Sequence, residues 1–298
     1  MKNEKTPVVV LNNTSATAIK NVSPTLNDPI NNNNNNETSA QQCLFKLAKK
    51  FAIDGTLLPS ENQEPIEDRT NKRMRLEHLR KQQNIEVIIG KSLNYCANSD
   101  VKQKPDSDWF SRYITLAEDV SNPTMQDLWA KILAGELAKA CSFSYKALKV
   151  FRDMSIYDAK ILAKASALAL KDAGKQNVRL VSGIYQKPGI LNFFSSNRQQ
   201  HINLSQFGLN HADLLALAEN HLLYMQESET SALTQKENIN FTYNGLPLKI
   251  GAKKANVVLQ FYKLTPLGAE LAHLISDKPN QEFFNYLKKQ LSQHFTVT

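Results

Sequence analysis

Glu136 is the ionisable side chain in this 298-residue chain whose surroundings most invite chemistry. It follows Ile132 by four positions and Trp129 by seven, so on a helix it borders the apolar stripe formed by Met125, Leu128 and Ile132. A carboxylate at such an edge can serve as a general acid or base in a hydrolase. It can equally form a structural ion pair with a lysine or arginine of the neighbouring helix. Asp127 and Lys131 stand four apart on the same helix, the spacing of a surface ion pair. Trp129 either packs between helices or, if exposed, marks a contact surface. Together Trp129, Asp127, Lys131 and Glu136 form a candidate partner surface, for another protein or a second copy of the chain.

Other chemistry is excluded by spacing. Gly90-Lys91-Ser92 resembles the end of a phosphate-binding loop, but that loop needs a glycine where Ile85 stands and a strand where a helix is expected. Gly174-Lys175 fails in the same way. There is no G-x-S-x-G elbow and no H-E-x-x-H. The six histidines, at 78, 201, 211, 221, 273 and 294, never stand three or four apart from another His or Cys, so no metal site is expected. Cys43, Cys96 and Cys141 are odd in number and widely separated, which points to reduced thiols rather than a disulfide framework. No cofactor is implied.

The net charge of +8 is unevenly spread. Residues 67–83 carry six basic and three acidic side chains, and residues 142–200 carry ten and three; elsewhere the signs balance or lean acidic. Arg69, Lys72, Arg73, Arg80 and Lys81 project from one long helix. Lys146, Lys149 and Arg152 project from a second, and Lys249, Lys253 and Lys254 lie on or just past a hairpin. These are candidate phosphate contacts for a nucleic acid. Against a base-reading role, the helix expected over 211–225 has no Lys or Arg and carries Asp213 and Glu219.

The elements that must position these residues read as mainly α. Gly and Pro are few, ten and eleven. Residues 1–42, with six consecutive asparagines from Asn31 to Asn36, are expected to be disordered. Residues 43–66 read as a short helix and linker. Residues 67–142 read as a helical domain, with helices over 67–95 and from Trp109, and a third opened by Asn122 as N-cap and Pro123 at its first position. Residues 143–276 combine helices opened by Ser144, by Ser155 with Asp158, and by Asn210 with Asp213, with a strand over Val178–Tyr185. They also hold a hairpin at Asn244-Gly245 and a strand over Val257–Leu264 leading through Thr265-Pro266 into a helix. Residues 277–298 close with a helix. The expected fold is therefore a helical N-terminal half with a small C-terminal helix–β-hairpin–strand–helix unit.

The segment from Asp119 to Glu136, containing Met-Gln-Asp-Leu-Trp-Ala-Lys-Ile-Leu-Ala-Gly-Glu, resembles the signature of a bacterial family of unknown function. That family has segments similar to Arg80–Glu86, Phe143–Leu148 and Leu264–Leu271, and the resemblance spans roughly residues 67–276. It implies membership without a mechanism. Met125–Ala130 is similar to a stretch of the abortive-infection alpha family of phage-resistance proteins, which implies a defence-associated role. Leu264-Thr-Pro-Leu-Gly resembles the end of winged-helix domains, which bind DNA or proteins. No run reaches the roughly 18 apolar residues of a membrane span, and no signal peptide is evident. The expectation is a cytoplasmic, non-enzymatic binding or regulatory protein. A nucleic-acid-binding protein is the alternative, and a hydrolase with a site near Glu136 is the second alternative.

Overall fold

The computed structural model describes residues 39–96, 104–172, 174, 177–187, 199–235, 237–274 and 280–298. Most of the asparagine-rich head, residues 1–38, lies outside the described residues. The chain divides into two units, residues 1–50 and 51–298. The first unit contributes α1 (Ala40–Lys50), an amphipathic helix on which Leu44, Phe45 and Leu47 are exposed and Ala48 is buried.

In the second unit, side-chain caps start most of the helices. α2 (Ile66–Leu93) begins after Pro65 and is long and largely exposed over its first half. In α3 (Ser107–Ala117) the Asp106 carboxylate accepts from Trp109 N. In α4 (Pro123–Ala138) the Asn122 side chain accepts from Thr124 N and Met125 N, satisfying two of the donors a helix start leaves free. Ser144 caps α5 (Tyr145–Asp153), and a reciprocal Ser155–Asp158 capping box opens α6 (Ile156–Leu168). The starts of α4, α5 and α6 fall where the sequence places them.

The C-terminal half departs from expectation. Strands β1 (Leu170–Asp172), β2 (Val178–Gln186) and β3 (Gln199–His201) precede α7 (His211–Glu219), itself opened by an Asn210–Asp213 capping box. β4 (Ser228–Glu229), β5 (Asn238–Tyr243), β6 (Leu246–Ala252) and β7 (Val257–Lys263) follow. α8 (Pro266–Ala272), α9 (Gln281–Leu291) and β8 (Phe295–Val297) complete the chain. All eight strands join one antiparallel sheet in the order β4-β7-β2-β1-β5-β6-β8, with β3 beside β2. With 53% of the described residues in helices and 18% in strands the fold is mixed α and β. That corrects the expectation of a mainly α protein with a small, winged-helix-like β unit.

The hairpin turn between β5 and β6 is as expected, with Asn244 and Gly245 both at positive φ. The sheet extends far beyond it. β2 is buried at seven of its nine positions, so it shows no alternation, and β7 pairs along nearly its whole length. One continuous apolar core joins the sheet to the helices. At the sheet, Tyr243 stacks on Phe284 of α9 at 4.9 Å, and its hydroxyl donates to the Ala167 carbonyl. Among the helices, Trp109, Tyr113, Trp129 and Phe151 form a chain of rings with successive centroids 5.3 Å apart. At the start of α8 a Cβ on Gly268 would lie 2.1 Å from the Leu222 carbonyl oxygen, so only glycine allows this approach.

Candidate functional site

α4 brings Glu136 to the mouth of the loop that leads into α5. The side chain is 3% exposed, and without partners an ionised carboxylate so buried would cost several kcal/mol. Its partners are backbone amides. Oε1 accepts from Cys141 N at 2.6 Å, and Oε2 accepts from Ser142 N at 2.9 Å and Phe143 N at 3.1 Å. The loop turns back toward the carboxylate because Cys141 sits at a φ of 63°. Gly135 lets it close, since a Cβ there would lie 2.9 Å from Phe143 Cε2. Trp109 Nε1 donates to the Phe143 carbonyl at 2.7 Å, and Glu270 of α8 accepts from Ser144 N at 2.7 Å. The loop is thus held by two carboxylates and an indole. Glu136 makes no ion pair among the described residues, so amides take the role expected of a neighbouring cation.

A second network ties α2 to the α3–α4 connection. Arg80 donates to the Asp119 carbonyl and to Ser121 Oγ at 3.3 Å, and it lies 3.4 Å from the Asp119 carboxylate. Lys81 pairs with Glu118 at 2.9 Å and Asp119 at 3.5 Å; the hydrogen bond to Glu118 chiefly holds its pKa above the ordinary lysine value. Between them Asn84 Nδ2 donates to the Glu118 carbonyl, and Gln126 Nε2 donates to the Val120 carbonyl. Near the C-terminal end of α2, the Tyr95 hydroxyl donates to Asp127 at 2.5 Å and Lys131 pairs with Asp127 at 3.1 Å. Burial pushes the Asp127 carboxyl up, but Tyr95 and Lys131 outweigh it and leave its pKa below the ordinary value.

An open cleft of about 970 Å³ lies beside the loop, with Ala134, Gly135 and Ala138 of α4, Ala269 and Glu270 of α8, and Lys131, Lys139 and His273 around it. Across the loop, Trp109, Glu136 and Glu270 line a recess of about 420 Å³. Cys141 borders both. Glu136 and Glu270 at this junction each hold backbone amides, so both carboxylates shape the loop.

A family model of proteins of unknown function, DUF2806, matches residues 68–288. The chain belongs to this family. The match takes in α2 through most of α9 and both networks above. No curated protein and no solved structure matches the chain.

The remaining sequence candidates scatter. Trp129 is fully buried within the ring chain, so its side chain offers no surface to a partner. Asp127 and Lys131 pair with each other at the rim of the large cleft. Arg69 lies over Gly55, where a Cβ would come within 2.4 Å of its Cδ, and Lys72 pairs with Glu64 at 3.5 Å. Arg73 is exposed. Lys249 shares its backbone hydrogen bonds with Thr298, Lys253 Nζ donates to the Ser292 carbonyl, and Lys254 is exposed nearby. Arg152 pairs with Asp153 at 2.8 Å.

Lys146 and Lys149 lie together on one helix. Both are exposed on α5 and neither makes an ion pair among the described residues. Lys149 Nζ and the guanidinium of Arg112, from α3, each lie 4.8 Å from the centroid of the Tyr145 ring. Tyr145 and Arg112 were not among the sequence candidates. The i, i+4 spacing of Tyr145 and Lys149 was a readable signal; the arrival of Arg112 from another helix was not. Among the described residues no group of three or more His, Cys, Asp or Glu is placed to hold a metal ion, and no helix is long and apolar enough to cross a membrane.

Proposed function

We propose that this chain is a non-enzymatic binding protein that recognises a polyanion, the backbone of a nucleic acid, on the face formed by α3 and α5. One observation carries the reading. Arg112 and Lys149 converge on the Tyr145 ring, Lys146 is exposed on the same helix as Lys149, and none of the three has a carboxylate in ion-pair range among the described residues, whereas Arg80, Lys81, Lys72 and Arg152 are already paired. Cations held by an aromatic ring are preorganised and keep their donors free for phosphate oxygens. The reading drops the helix over 67–83, keeps Lys146 and Lys149 of the segment over 142–200, and adds Arg112. Contacts of this kind position a nucleic acid without reading its sequence.

Fluorescence anisotropy with labelled single- and double-stranded DNA and RNA tests it. With three phosphates neutralised, duplex affinity should fall about 40-fold between roughly 50 and 200 mM salt. Arg112→Glu with Lys149→Glu should abolish binding, and Arg80→Glu should weaken the fold without changing affinity in the folded fraction. No binding to any of the four probes at low salt would end this reading.

A second reading, a protein partner, is supported by α2. Met74, Leu76 and Leu79 are 48%, 40% and 50% exposed on its projecting half, beside Arg73 and Arg75. An acidic amphipathic helix fits such a surface. Retention of a single monomeric species with no partner captured, and no loss on Leu76→Glu with Leu79→Glu, would argue against it.

A further inference from the structure

β2 carries one irregularity, a register shift between Val181 and Gly183 against β7. The residue inserted there is Ser182. A bulge re-aims the side chain of its extra residue, and bulges gather beside binding sites. Ser182 is 8% exposed, and its hydroxyl has no hydrogen-bond partner among the described residues. Leaving such a group unpaired costs about 1–3 kcal/mol, so a hydroxyl buried without a partner among the described residues is open to one supplied by a ligand.

The hydroxyl borders a groove of about 430 Å³, within the size range of small-molecule sites. β2 and β7 supply Ser182 and Tyr262, the chain around β3 supplies His201 and Asn203, and α7 begins at its edge with His211. Glu227 also lines it. Burial pushes the Tyr262 hydroxyl up, and its hydrogen bond to Glu227 adds to this, which ties the carboxylate to the groove wall.

The chemistry of this set is selective. No lysine or arginine lines the groove, and Glu227 would repel an anion. Glu227 is the single carboxylate among the lining residues, too few for a cation site. Serine hydroxyls and imidazoles each both donate and accept, and Glu227 accepts. Adjacent ring hydroxyls, each a donor and an acceptor, complement them.

We propose that this groove binds a small neutral polyol, a sugar ring, through the Ser182 hydroxyl, His201 and Glu227. A free hexose and the ribose of a nucleoside both present such a ring, and the two sources are separable by experiment. The site is separate from the α3–α5 face and stands or falls without it.

The test uses the full chain, saturation-transfer NMR and calorimetry, with glucose, adenosine and a phosphorylated hexose as probes. Glucose or adenosine should bind, identifying the source, and the phosphorylated hexose should bind at least about tenfold more weakly. Ser182→Ala should fold with an unchanged or higher Tm, because it removes an orphan hydroxyl, and should lose about three- to tenfold in affinity. Glu227→Gln should also weaken binding. No saturation transfer from either neutral probe at about 10 mM would overturn the proposal, with Ser182 then hydrogen-bonded to water alone. Tighter binding of the phosphorylated hexose, or a Ser182→Ala variant with wild-type affinity, would overturn it as well.

Discussion

Replacing Glu136 by Gln separates a structural carboxylate from a catalytic one. The glutamine oxygen can take over at most one carboxylate position. The better choice is that of Oε2, which accepts from Ser142 N and Phe143 N. The amide nitrogen then faces Cys141 N, and two donors meet where a 2.6 Å hydrogen bond stood. One charge-assisted bond of about 1.5–3 kcal/mol is lost, and the two that remain fall to neutral strength, about 1 kcal/mol each. The lower cost of burying a neutral side chain offsets part of this. The net expectation is about 2–4 kcal/mol of destabilisation, or ~5–15 °C in Tm for a unit of this size. Urea denaturation should show a lower midpoint at unchanged slope. Glu270→Gln provides the internal scale: Glu270 accepts from the single amide of Ser144, so its loss should be about 1–2 kcal/mol and smaller than that of Glu136. A functional carboxylate held in strain would behave in the opposite way, since its removal often stabilises. A Glu136→Gln variant as stable as the parent, or less perturbed than Glu270→Gln, would refute the assignment of this side chain to the loop.

Three further outcomes are expected. Gly268→Ala should leave little folded protein, because the new Cβ meets the Leu222 backbone at 2.1 Å and backbone cannot yield; soluble yield and circular dichroism check this. Gly90→Ala, on an open stretch of α2 with nothing within 4 Å, should instead raise stability by about 0.5–1 kcal/mol, measured by the same denaturation. His294 should make stability fall in acid. Burial, with Lys254 and then Lys253 nearby, holds its pKa below the ordinary 6.5. The unfolded chain therefore takes up this proton first, and the contribution is full above the unfolded value and lost as pH drops through it toward the depressed folded one. Denaturation midpoints at about pH 7.5 and about pH 5.5 should differ less in His294→Gln than in the parent.

Helix starts were legible because their determinants are local. Asn122, Ser144, Ser155 with Asp158, and Asn210 with Asp213 each bond to amides two or three residues away. The hairpin was legible for the same reason, its turn lying in two adjacent residues. The sheet was not. β1, β3 and β8 have three residues each and β4 has two, too short to show a period. Val178–Tyr185 reads as a strand and β2 lies there, but burial on both faces leaves no alternation to say which strands flank it. Its pairing with β7 joins residues some eighty positions apart, so no local pattern announces it.

The candidate site divides along the same line. Position alone marked Glu136 as buried at the edge of an apolar stripe, but its partners are main-chain amides, and no side-chain pattern encodes where a loop's backbone will turn. The charge tally likewise located the basic excess without revealing which cations are engaged. Arg80 and Lys81 stand 39 and 37 positions before the carboxylates they meet at Asp119 and Glu118, and folding removes them from the free surface. The same folding brings Arg112 to a ring that already lies beneath Lys149. Counting charges along the chain therefore favours the long helix over 67–83, whereas the fold engages Lys72, Arg80 and Lys81 of that helix and leaves Arg112, Lys146 and Lys149 of α3 and α5 without an ion pair among the described residues. For a polyanion that engagement decides, because a cation paired with a carboxylate must surrender that partner before it can displace counterions from a phosphate.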